Sequence, residues 1–101
     1  GMIVLAFVGL FAAKLLPANA RVFYNLGLIQ QRRGYLRAAS AALAKAHALG
    51  DMEATYALAL LEVRQKRPDR ALPLVEQLAA ANPGDAQMVK LRDDLRRAVR
   101  P

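Results

Sequence analysis

Apolar residues recur at three- and four-residue steps along most of this chain, and no stretch alternates apolar with polar residues for long enough to make a strand. The elements that follow are helices. One runs from about Ala18 to Arg32, Gly34 supplies a turn, and a second runs from about Tyr35 to Ala48. Gly50 sits where a left-handed C-terminal cap is wanted, and Asp51 follows it as an N-cap. A third helix covers about Asp51 to Gln65, Lys66 and Arg67 turn the chain, and a fourth opens at Pro68, a residue suited to a first helical position. Pro73 lies just inside that helix and is expected to bend it or delay its regular start. Asn82-Pro83-Gly84-Asp85 is a turn. Beyond it Met88, Leu91, Leu95 and Val99 make one apolar stripe on a helix that otherwise carries charge, the pattern of a terminal capping helix.

Laying the chain over itself so that Tyr24 meets Tyr56 also sets Leu26 on Leu58, Leu28 on Leu60, Arg32 on Arg64 and Ala39 on Ala71. At the same offset Gly27 meets Ala59, Leu43 meets Val75 and Ala46 meets Leu78. Size and polarity agree at each position, which reads as a duplication with Leu26 and Leu58 in one shared interior. A period of about 20 to 50 residues marks a solenoid, in which each unit buries its apolar face by stacking on the next.

Residues Met2 to Ala13 form an uncharged apolar run, followed by Lys14, Leu15, Leu16 and Pro17. Gly1 ahead of Met2 reads as a residue left by tag removal, with the natural chain starting at Met2 or further upstream. The run is shorter than the ~20 apolar residues that cross a bilayer. Three readings stand: a buried helix covered by its neighbours and by a second copy, the remnant of a membrane anchor, or the apolar part of a signal peptide ending at Ala18-Asn19-Ala20. The first predicts self-association through residues 2–16.

Several of these residues resemble a known family. Pro17 to Gly27, with proline ending a preceding unit and an aromatic followed by Leu26-Gly27, is similar to the start of a tetratricopeptide repeat. Gly34, Ala39, Leu43 and Ala46 stand at that family's turn-glycine, close-contact alanine, large apolar and second alanine positions. In the second unit Ala59 and Lys66 depart from the two glycines, whereas Ala71, Val75 and Pro83 return to the pattern. The short Gly50-Asp51 turn also resembles the Sel1-like relatives. The resemblance spans about residues 17–101 and implies an all-α fold: a right-handed helix-turn-helix solenoid of two repeats, about 18–50 and 51–83, with an apolar N-terminal helix (1–16) and a capping helix at about 84–99.

It further implies that the first helix of each unit lines a concave, partner-binding face. That face would hold Arg21, Tyr24, Asn25, Leu28, Gln31 and Arg32 from one unit and Glu53, Tyr56, Leu60, Val63 and Arg64 from the next. Helical spacing agrees, since Arg21, Tyr24, Leu28, Gln31 and Arg32 share one face. Two stacked tyrosines between arginines suit a peptide with an acidic residue, although the same tyrosines also serve plain interhelix packing. Some relatives clamp a C-terminal carboxylate; Arg21 and Asn25 match the beginning of that pattern, but Ala57, Gln87 and Leu91 break it, so that activity is not carried over.

The formal net charge of +7 adds a second feature. Arg33 and Arg37 flank one turn beside Arg32, and Lys66, Arg67 and Arg70 flank its equivalent beside Arg64, which predicts a basic edge. Such an edge attracts anionic headgroups or remains a solvated rim. It accompanies no nucleic-acid recognition motif, so nucleic acid is not the expected partner. The Arg- and Ala-rich composition is also what a GC-rich bacterial genome produces, and the compartment, cytoplasmic or membrane-associated and periplasmic, stays open.

Candidate chemistry is sparse. Cysteine is absent and His47 is the single histidine, so no Cys- or His-rich metal site can form within one chain. Ser40 and His47 stand about 10 Å apart along one helix, too far for a nucleophile and its base. Asp93 and Asp94 point about 100° apart. No Gly-rich phosphate loop exists. The expectation is therefore a scaffold or adaptor for a peptide or protein segment, with no enzyme activity and no cofactor, in a bacterial multiprotein or envelope-associated assembly. The alternative is an oligomerisation module whose apolar N-terminal helix joins copies of the chain.

Overall fold

Among the described residues of this computed structural model, 17–100, the chain is all-helical. Five helices follow one another: α1 (Pro17–Arg32), α2 (Leu36–Ala48), α3 (Met52–Arg64), α4 (Pro68–Ala81) and α5 (Ala86–Val99). The three readings of residues 2–16 concern residues outside this range.

Local chemistry sets the boundaries. The Asp51 carboxylate accepts hydrogen bonds from the Glu53 and Ala54 amides at 3.0 and 3.2 Å and so caps α3. Asp85 accepts from the Met88 amide at 3.1 Å and caps α5. Three helices end in one C-terminal motif, a left-handed residue between two reverse hydrogen bonds. After α1 it is Gly34 (φ +83°), with Tyr35 N–H donating to Gln30 and Gly34 N–H to Gln31. After α2 it is Gly50 (φ +93°), with Asp51 donating to Ala46 and Gly50 to His47. After α3 it is Lys66 (φ +60°), with Arg67 donating to Glu62 and Lys66 to Val63. A side chain here departs from the usual glycine and strains the backbone. Pro73 does not delay α4: that helix starts at Pro68 and continues through Pro73 to Ala81, with the proline ring exposed.

Each helix packs most closely on the helices before and after it in the chain. The core runs along these joints: Ala39, Leu43 and Ala46 of α2, Ala54, Leu58, Ala59 and Leu61 of α3, Ala71, Leu74, Val75 and Ala79 of α4, and Met88 and Leu95 of α5. Small residues let the helices approach closely. A Cβ on Gly27 would stand 2.7 Å from Leu43 Cγ, so the glycine is what admits the leucine. The matching positions in the next pair hold Ala59 and the shorter Val75, both buried.

Two expected core residues lie elsewhere. Leu58 is buried, but Leu26 is 42% exposed, lining an open cleft with Ala38, Ala41 and Ala42 of α2. Val99 is exposed at the end of α5, whereas Met88 and Leu95 are buried and Leu91 is partly so.

Candidate partner-binding face

The residues expected on a concave face divide into two groups. The first is occupied with holding the fold. Arg21 donates from Nη1 to Asp51 at 2.9 Å and from Nη2 to Glu53 at 3.3 Å, and its guanidinium lies 4.5 Å from the centre of the Tyr24 ring. Arg21 and Glu53 thus tie α1 to the start of α3, and the arginine's charge is already answered by two carboxylates. Tyr24 is partly buried against the core, whereas Tyr56 is exposed. The stacking at this end of the face is that of Arg21 on Tyr24.

The second group is available. Leu28, Gln31 and Arg32 of α1 and Arg64 of α3 line one groove of about 400 Å³. Neither Arg32 nor Arg64 makes an ion pair among the described residues. Tyr56, Leu60 and Val63 of α3 are exposed large apolar residues, and Asn25 of α1 is exposed. Cationic ends beside apolar side chains can take a segment that brings both apolar anchors and a carboxylate.

The basic edge is also divided. Arg37 of α2 and Arg67 and Arg70 at the start of α4 line one cleft of about 640 Å³, whose wall includes Ser40, Leu58 and Glu62. Arg33 and Lys66 are exposed in the turns and do not line it. Arg67 stands 3.8 Å from the Glu62 carboxylate, so part of the positive charge is balanced from below. Glu62 is not among the residues that the spacing singles out. Its signal in the sequence is that a polar residue interrupts the apolar run of α3 where the repeat offset places it on Gln30 of α1.

The two polar residues considered for chemistry serve different joints. The Ser40 hydroxyl accepts from Gln65 Nε2 at 2.9 Å, linking α2 to the end of α3. His47 Nδ1 lies 2.6 Å from the Thr55 hydroxyl oxygen, and that hydroxyl donates to the Asp51 carbonyl at 3.2 Å, linking α2 to the start of α3. Asp93 pairs with Arg92, and Asp94 pairs with Arg97. No group of three His, Asp or Glu residues suited to a metal ion occurs among the described residues. No described helix is long and apolar enough to cross a membrane. Protein-family models, curated proteins and solved structures gave no match to this chain.

Proposed function

We propose that this chain is a tetratricopeptide-like scaffold, a right-handed solenoid of two helix-turn-helix repeats closed by α5, with a binding role and no catalytic one. Its partner is a peptide or protein segment lying across α1 and α3, with an acidic residue set against Arg32 and Arg64. The observation that carries this reading is the groove in which Leu28, Gln31, Arg32 and Arg64 come together, with both guanidinium groups free of ion pairs among the described residues. Two further features support the repeat. The turns at Gly34 and Lys66 share one backbone conformation at the offset that relates Tyr24 to Tyr56, and α2 and α4 start at positions separated by the same interval. A carboxylate placed between two unpaired arginines gains charge-assisted hydrogen bonds, while Tyr56, Leu60 and Val63 offer apolar anchoring.

The test uses fluorescein-labelled peptides of about 15 residues, half of them acidic and amphipathic and half with the acids replaced by amides, read by anisotropy. Acidic peptides are expected to bind, and the double variant Arg32→Glu, Arg64→Glu to weaken them at least tenfold, about 1.4 kcal/mol, with helix content unchanged by circular dichroism. Equal binding by acidic and amide peptides, or full affinity in the double variant, would overturn the proposal.

A further inference from the structure

One buried carboxylate in this fold has an oxygen that no described residue reaches with a hydrogen bond. Glu62 of α3 is 4% exposed, and its Oε2 is shut off from solvent without a donor among the described residues. Its ion-pair partner Arg67 stands with Nη1 3.8 Å away, beyond the ~2.7–3.2 Å of an N–H···O hydrogen bond. A charged acceptor held away from water destabilises the fold until a donor reaches it, so its place in an open cleft points to a donor from outside the chain.

That cleft, of about 640 Å³, is lined by α2, α3 and α4, and it lies within the ~300–1,000 Å³ of small-molecule sites. Leu58, Leu74, Ala44 and Pro73 give it apolar walls. Arg37 and Arg70 stand exposed beside them, and neither makes an ion pair among the described residues. The charges are additions to the repeat and no part of its packing. At the offset that relates Tyr24 to Tyr56, Glu62 falls on Gln30, Arg67 on Tyr35 and Arg70 on Ala38. The Gln30 Oε1 is likewise buried without a donor among the described residues, yet the cleft beside it is lined by neither an acid nor an arginine.

The balance of charge selects the ligand. Three arginines against one glutamate leave the cleft positive, which disfavours a cation as the donor to Glu62 and favours a molecule that is anionic overall. The donor is then a neutral N–H. We propose that the cleft binds a small organic acid, with its carboxylate or phosphate on Arg37 and Arg70, its apolar body against Leu58 and Leu74, and a neutral N–H donated to Glu62 Oε2. A flat anionic bilayer reaches the exposed arginines but not the buried carboxylate, so it leaves Glu62 without its donor. The cleft shares no lining residue with the α1–α3 groove, and the inference does not depend on the partner-binding reading.

The test titrates the full chain by calorimetry with indole-3-propionate, which carries an acid, an apolar body and one N–H. Three controls each remove one feature: the N-methyl analogue lacks the donor, the propionamide lacks the charge, and inorganic phosphate lacks the body. Indole-3-propionate is expected to bind saturably with a Kd below about 1 mM, and each control at least tenfold more weakly. The variant Glu62→Met, of similar volume, is expected to lose the preference for N–H over N-methyl while helix content by circular dichroism is unchanged. The double variant Arg37→Ala, Arg70→Ala is expected to lose the preference for acid over amide. Equal binding of the N–H and N-methyl acids would show that Arg67 closes on Glu62 and would overturn the proposal. So would the absence of saturable binding up to about 10 mM, or binding to phosphatidylcholine–phosphatidylglycerol vesicles in place of the indole acid.

Discussion

α1 and α3 are built alike and buried differently. Tyrosine, leucine and arginine recur along both at matching positions, and both end in a left-handed turn closed by the same two reverse hydrogen bonds. Yet α3 places Ala54, Leu58, Ala59 and Leu61 in the core, while α1 contributes Ala20, Gly27 and partly buried aromatic rings. The opposite face reverses the order: Tyr24 is partly buried and Tyr56 exposed. A leucine in this chain is thus a core residue only where a neighbouring helix covers it. Helical periodicity specifies a face, and the sequence of neighbours specifies whether that face is interior.

Three substitutions sharpen the comparison, beginning with the largest expected effect. Leu61→Ala removes a side chain buried on all sides and is expected to cost about 2–5 kcal/mol in chemical denaturation, whereas Ile29→Ala, its counterpart on α1, is expected to cost clearly less. Equal costs would break the contrast between the two helices. Gly27→Ala forces a methyl group against Leu43 and is expected to cost about 1–3 kcal/mol, even though alanine is the better helix former. Adding Leu43→Val recreates the Ala59–Val75 arrangement of the second pair and is expected to recover most of the loss, measured as a double-mutant cycle. An additive cycle would show that the two joints are not equivalent. Lys66→Gly relieves a left-handed side-chain position and is expected to raise stability by about 1 kcal/mol, while Gly34→Lys is expected to lower it by a similar amount. Thermal unfolding followed by circular dichroism checks both, and the same sign for the two changes would mean that the turns differ.

Much of the fold was legible in the residues because its signals are local. Asp51 and Asp85 cap helices by reaching backbone amides two or three residues on, Gly34 and Gly50 adopt conformations that glycine reaches without strain, and Pro68 opens a helix in which its missing N–H is no loss. The candidate face was legible in part. Leu28, Gln31 and Arg32 line one groove with Arg64; the first three share a side of α1 because three- and four-residue spacing along one helix survives folding unchanged, whereas the place of Arg64 beside them is set by how α3 packs. Arg21 belongs by spacing to the face offered to a partner, and it is instead held by Asp51 and Glu53, residues 30 and 32 positions away.

What the sequence determined by itself, then, was the set of helices, their ends, their turns and the apolar side of each, since these depend on contacts within a few residues. Only the tertiary structure decided which apolar sides are interior, which arginines are already paired, and that Glu62 lies buried beneath Arg67. The physical reason is distance along the chain. Burial and ion pairing are made between helices, by residues tens of positions apart, and the same leucine or arginine meets a core, a carboxylate or open solvent according to the neighbour that packing supplies.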